Sequence, residues 1–292
     1  MRLPRISIVT PSYNQAPFLE QTLRSVLEQG YPDLEYMVLD GGSSDGSAEI
    51  IERHASRLAF SRSAKDSGQA AALREGLARA TGEVVAWINS DDWYEPGALR
   101  LAGEAFALHP EVDIVHGDVC FTDVSGRPLY VGPQVLDLRI LSYESPYIAQ
   151  QAMFWRRSAY ERVGGVDPSY QYAMDHDLVV RMLVSGSRVF RIRRVLGNMR
   201  MHEAAKTSSM KAIEIEELER TRARHGLARD PEPMRTLKRW GYRAMRFARD
   251  PRCISAAVLR RLRIRTGAAG QSVRGPTLTP EGAGKPPAGA RP

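Results

Sequence analysis

Two adjacent carboxylates, Asp91 and Asp92, come just after the apolar run Glu83-Val84-Val85-Ala86-Trp87-Ile88 and the dipeptide Asn89-Ser90. The run reads as a buried strand, and in open α/β sheets ligands bind in the crevice beyond the strand carboxyl ends. Paired carboxylates at such a place favour a divalent cation and, through it, a phosphate. Ser and Asp are also common helix caps and Pro96 suits a first helical turn, so the same residues taken alone serve equally well to start a helix.

Two other strand ends carry groups that complement the pair. Ile6-Ser7-Ile8-Val9-Thr10 runs into Pro11-Ser12-Tyr13-Asn14, and Tyr36-Met37-Val38-Leu39 runs into Asp40-Gly41-Gly42-Ser43. In a parallel sheet all three ends share one edge. That edge then offers Pro11 and Tyr13 to pack a base, Asp40 to accept its N–H, and further carboxylates for ribose and metal. Asp-Gly-Gly-Ser is a good tight turn in any protein, but chance supply of all three groups at successive strand ends is the weaker explanation.

The elements that must position these residues alternate along the chain. Phe18, Leu19, Thr22, Leu23, Val26 and Leu27 fall at helical spacing, and Ala48, Ile50 and Ile51 begin another helix. A weaker strand at residues 58–60 leads to a helix at 69–80, a strand at 83–88 and a helix at 96–108. This order implies βαβ units and an α/β fold with a mostly parallel sheet and helices on both faces. Between 113 and 130 the pattern predicts short strands broken by Gly117, Gly126 and Pro128. It then predicts a strand at 151–155, a helix at 157–163, and a helix at 175–184 with Leu178, Met182 and Leu183 inward.

Of the 292 residues, 43% are hydrophobic and 26% charged, as expected of a soluble globular chain. No apolar run approaches the roughly 20 residues of a membrane span, and the N-terminus lacks a signal-peptide pattern, so a cytoplasmic location is expected. Cys120 and Cys253 lie far apart and read as inert thiols. The net charge of +7 is unevenly placed: residues 234–265 hold eleven Lys/Arg against Asp250 alone, giving +10, and residues 266–292 add +2. The remainder is mildly acidic at 7 − 12 = −5, which argues against nucleic acid as a partner. Leu237, Trp240, Ala244 and Phe247 recur at spacings of three and four among Arg and Lys. This is the pattern of a basic amphipathic helix, open to a peripheral contact with an anionic membrane or to packing on the main domain. A Gly- and Pro-rich composition predicts a disordered tail at 266–292.

From about Arg5 to Thr207 the chain resembles the inverting family 2 glycosyltransferases of the GT-A fold, of the bacterial cell-surface polysaccharide type. The likeness is strongest in residues 6–99 and 164–207. It implies a GT-A domain at 1–210, a Rossmann-like mostly parallel sheet, followed by a basic helical C-terminal extension at 211–265. By this resemblance Pro11, Tyr13 and Asp40 hold the nucleobase, Asp66 lies near the nucleotide, Asp91 meets the ribose and Asp92 binds Mn²⁺ or Mg²⁺. Gln151, with Gln150, falls where the family faces the sugar. His202, in Arg200-Met201-His202, matches a position that contacts the metal or the diphosphate. Asp175, in Tyr172-Ala173-Met174-Asp175-His176-Asp177, matches the general base, with Asp177 as the fallback; both also suit a helix N-terminus. The implied reaction moves a sugar, UDP-linked by expectation, to a hydroxyl of a glycan or lipid-linked glycan acceptor. A polyprenyl-phosphate sugar synthase and a non-catalytic nucleotide-sugar-binding module are the alternatives. Arg74, where the family often has Asn, and Ser63-Ala64-Lys65, where it often has Pro, are departures beside the donor pocket. A dehydrogenase is excluded because the first strand lacks a following Gly-x-Gly-x-x-Gly.

Overall fold

The computed structural model describes residues 2–144, 148–202, 210–227 and 230–265; the expected tail at 266–292 and the Lys206-Thr207 end of the His202 loop lie outside them. A nine-stranded sheet forms the frame, in the order β3-β2-β1-β4-β8-β6-β9-β5, with β7 added on β6. The strands are β1 Ile6–Ser12, β2 Leu34–Asp40, β3 Phe60–Ser63, β4 Val84–Trp87, β5 Trp93–Tyr94, β6 Ile114–Thr122, β7 Pro128–Gly132, β8 Met153–Arg156 and β9 Val189–Arg200.

The half formed by β1 to β4 is parallel, with Ser12 level with Asp40 and Asp40 level with Ser63, so the ends of β1, β2 and β3 do share an edge. Every residue of β1 and β4 is buried, as continuous apolar strands covered on both faces should be. Helix α1 (Ala16–Leu27) buries Leu19, Thr22, Leu23 and Val26. Helices α2 (Ser47–His54), α3 (Gln69–Arg79) and α4 (Ala98–Leu108) complete this half. Gly76 lets α3 lie on the sheet, because a Cβ there would come within 2.6 Å of Val9 and 2.9 Å of Leu39.

The other half is mixed, since β8 runs antiparallel to β4 and β6 while β9 runs parallel to β6. Its core stacks Trp87 on Trp155 and Tyr94 on Phe154. Three expectations are corrected here. The strand expected at 58–60 lies at Phe60–Ser63, displaced by the 3₁₀ turn Ala55–Arg57. Gly117 does not break a strand: β6 runs through it, and the glycine is required because a Cβ would sit 2.4 Å from Leu196. The twelve-residue β9 was not expected at all, its Arg191, Arg193 and Arg194 hiding the strand pattern along its more exposed half.

Helices α5 (Leu138–Glu144), α6 (Arg157–Arg162) and α7 (Met174–Val184) follow the mixed half; α7 starts one residue before the expected helix. The basic segment folds as α8 (Lys211–His225), α9 (Met234–Arg249) and α10 (Arg252–Arg265). No described helix is long and apolar enough to cross a membrane.

Candidate active site

The turn after β4 is held from several directions. The Thr22 hydroxyl of α1 lies 2.9 Å from the Ser90 carbonyl and 2.7 Å from that of Asp92, sharing its one hydrogen between them. Arg200, at the end of β9, donates from Nε to the Asp91 carbonyl and through its other nitrogens to the Val124 carbonyl and Gln21. Its guanidinium lies between the rings of Phe18 and Trp93, each 4.6 Å away. Such a fork, bonded at its edge and stacked on both faces, suits Arg and no other side chain.

The two carboxylates differ sharply. Asp92 is buried; Oδ2 accepts from Gln151 Nε2 at 2.7 Å and from Asn89, and Oδ1 accepts the Arg200 backbone N–H at 3.0 Å. Burial, and then the charge of Asp91, push its carboxyl well above the usual carboxylate range. Asp91 is more open, and its Oδ2 lies 3.0 Å from His202 Nε2. The imidazole in turn packs on Phe18, with ring centroids 5.0 Å apart. The structure thus sets Asp91 rather than Asp92 beside His202, with Asp92 behind the pair and bonded to Gln151.

Among the described residues no three His, Cys, Asp or Glu side chains gather into a ready metal cluster. The donor set nevertheless fits Mg²⁺ or Mn²⁺. A carboxylate and an imidazole, backed by a second carboxylate, match ions that keep water and take phosphate oxygens as remaining ligands. A cation there would also relieve the repulsion that raises Asp92.

At the neighbouring strand ends, Tyr13 is 62% exposed beyond Pro11, so its ring is available to a ligand. Gly41 forms a close floor, since a Cβ there would be 3.3 Å from both Tyr13 and the Asp66 carboxylate. Asp66 is fixed by the Gly68 N–H at 2.8 Å and by Arg62. Asp40 is fully buried, and its carboxylate accepts from the N–H groups of Gly42 and Ser43 and the hydroxyls of Ser43 and Ser63. It therefore shapes the Gly41-Gly42-Ser43 turn that carries the floor.

Helix α7 separates its two aspartates. Asp177 is buried and paired with Arg181 at 2.7 Å, with Arg224 of α8 at 3.8 Å. Asp175 has no cation partner among the described residues and accepts from backbone N–H groups, that of His176 at 2.7 Å. Burial drives its carboxyl up to about 7, with Glu214 and Glu217 adding to the rise. Burial holds the adjacent His176 down at about 3, so it stays neutral and gives Asp175 no counter-charge. Glu217 of α8 accepts the backbone N–H groups of Gln171, Tyr172 and Ala173 at 2.7–2.9 Å and so fixes the entry to α7. Thr22 and Glu217 have no local sequence signature, because each acts across a distance in the chain.

A parallel β1–β4 half with an acidic turn after β4, joined to a mixed half, is the architecture of the GT-A glycosyltransferases. S. aureus TarS residues 1–349, in complex with UDP-GlcNAc, superimposes with TM-score 0.62 at 17% identity, covering 84% of this chain and 73% of TarS. The mannosyltransferase PcManGT of Pyrobaculum calidifontis, in complex with GDP-Man and Mn²⁺, gives TM-score 0.60 at 23% identity, covering 93% of this chain and 77% of PcManGT. The Glycosyl transferase family 2 signature matches residues 7–164, and the chain belongs to that family. It is 30% identical over 201 residues to the PGL/p-HBAD biosynthesis glycosyltransferase of Mycobacterium bovis, covering 67% of this chain and 76% of that protein. It is also 29% identical over 216 residues to the O-antigen biosynthesis protein RfbC of Myxococcus xanthus, covering 71% of this chain but only 16% of RfbC's length.

Proposed function

We propose that this glycosyltransferase moves a sugar from a UDP-linked donor, with inversion, to a hydroxyl of a glycan or lipid-linked glycan at the cytoplasmic face of the membrane. The observation that carries the reading is the Asp91–His202 pair, backed by Asp92, beside the Tyr13–Gly41–Asp66 floor. The base packs on Tyr13 beside Pro11, with Asp66 and the Asp40 turn against its polar edge, and Asp91 and Gln151 reach the ribose and the sugar. Asp92 and His202, with Asp91 beside them, would hold Mn²⁺ or Mg²⁺, which when bound would offset charge on the leaving nucleoside diphosphate. Asp175 takes the proton from the acceptor hydroxyl as its oxygen attacks the anomeric carbon and the bond to the diphosphate breaks. A carboxyl near 7 suits that role, whereas the Arg181 pair commits Asp177 to structure. The complexes of TarS with UDP-GlcNAc and PcManGT with GDP-Man and Mn²⁺ support a nucleotide-sugar donor and a metal, and the names of RfbC and the PGL enzyme support a surface-glycan acceptor.

The test is a donor screen that reads nucleoside diphosphate release with Mn²⁺, with Mg²⁺ and with chelator. Release from a UDP-sugar that needs metal and acceptor is expected. Binding of nucleotide-sugars without turnover under every acceptor tried would instead favour a non-catalytic binding module.

A further inference from the structure

Helix α9 is turned the wrong way round for a soluble protein. Met234, Leu237, Gly241, Ala244 and Ala248 recur at spacings of three and four, with Trp240 at their edge, and all face solvent. Leu237 is 66% and Trp240 59% exposed. The opposite side holds the helix to the domain: Tyr242 packs on Tyr143, Lys238 pairs with Asp230, Arg235 with Glu219 and Arg249 with Asp137. Surface helices normally bury the apolar stripe and expose the charged one. In the next helix Ile254, Val258 and Leu259 are exposed as well.

We propose that this outward stripe of α9 is a docking surface for an anionic lipid bilayer, with Met234, Leu237 and Trp240 entering the headgroup boundary. Charge selects the occupant. Residues 234–265 carry a formal +10, and although Arg235, Lys238, Arg249 and Arg252 are paired with acidic groups the segment stays basic, which disfavours the same segment of a second copy and favours anionic lipid. Arg243 lies 5.0 Å from the Trp240 ring centroid, placing a cation at the rim of the apolar stripe, as an interfacial helix requires. Even the ion-paired side chains Lys238 and Arg249 remain about two-fifths exposed. The docking does not depend on the transferase reading, because it is measured without donor or acceptor.

The full chain is mixed with vesicles of phosphatidylcholine alone or of phosphatidylcholine with phosphatidylglycerol and sedimented at low and high salt. Binding to the phosphatidylglycerol vesicles at low salt, release by high salt and little binding to phosphatidylcholine are expected. Leu237→Ser/Trp240→Ser should weaken vesicle affinity about tenfold or more while leaving the melting curve and nucleotide binding unchanged. Three outcomes overturn the proposal: no binding to anionic vesicles, equal binding by the double variant, or a lipid-free self-association that the double variant abolishes. The last would assign the stripe to a second copy.

Discussion

Asp175 and Asp177 stand two residues apart on one helix and do opposite work. Asp177 has a guanidinium partner and holds structure; Asp175 has none among the described residues and is raised to about 7 by burial. Asp175→Asn should bind nucleotide-sugar normally and lose turnover by about a hundred- to ten-thousand-fold, read by single-turnover kinetics. Wild-type activity should rise with pH through about 7 as the carboxylate forms. The stability effect has the opposite sign. An unfolded Asp ionises near 3.9, so the folded chain binds an extra proton between there and about 7, and stability falls as pH rises through that window. Asp175→Asn should therefore melt higher than wild type at pH 8, with the gain shrinking toward pH 4; a constant difference would show that the raised pKa is not its source. If Asp92 helps to hold a metal as proposed, Asp92→Ala should abolish metal-dependent transfer and leave the far-UV spectrum intact. Full activity of that variant in chelator would remove the metal assignment. Arg200→Lys tests the clamp. Losing the stacked fork should cost about 2 kcal/mol in thermal melts and raise the donor KM, because the Asp91–Asp92 turn loses its support.

At the scale of elements, glycines mark where backbones must touch. A Cβ on Gly197 of β9 would lie 2.1 Å from the Gln151 carbonyl, and a backbone carbonyl cannot rotate away. Gly197→Ala should push the 3₁₀ turn Gln150–Ala152 off its place. The expected result is a loss of more than about 2 kcal/mol together with impaired donor binding, since Gln151 leaves Asp92. Melting and nucleotide titration on the same preparation separate the two effects. Helix α8 acts similarly through one side chain, Glu217, which ties the three N–H groups before α7. Glu217→Ala should speed hydrogen exchange at residues 171–173 more than in the β1–β4 core.

Across the whole molecule, two kinds of ionic contact attach the C-terminal helices. Asp118 and Asp250, both nearly inaccessible, bracket Arg191 and Arg252 in one network. Although burial alone would raise the Asp250 carboxyl, hydrogen bonds from Arg252 and Arg191 hold it down at about 2. The links of α9 through Arg235–Glu219 and Lys238–Asp230 are far more exposed. Salt screens the second kind more than the first. Raising ionic strength should speed amide exchange along α9 while the first turn of α10 stays protected; equal loosening of both would contradict this difference.

The sequence by itself determined the parallel half and its strand ends. Continuous apolar strands followed by Pro11, Asp40 and the Asp91–Asp92 pair obey local periodicity, which survives any tertiary context. The amphipathic pattern of α9 was legible in the sequence in part, from a spacing of three and four: Leu237, Trp240 and Ala244 are all exposed, whereas Phe247 is half-buried. What it could not tell is which way the stripe faces, since that depends on Tyr143, Asp230, Glu219 and Asp137 on other elements. The strand β9 was illegible for a related reason: its Arg191 finds Asp118 and Asp250 only after folding, so the charge of that residue misrepresents its place in the sheet. Likewise Asp175 and Asp177 are chemically identical in the chain. Arg181 lies one helical turn beyond Asp177 and is a local partner. The approach of Arg224 to Asp177, and the desolvation that raises Asp175 and keeps His176 neutral with no cation beside Asp175 among the described residues, come only with folding, because long-range charge and desolvation, unlike periodicity, are properties of the assembled structure.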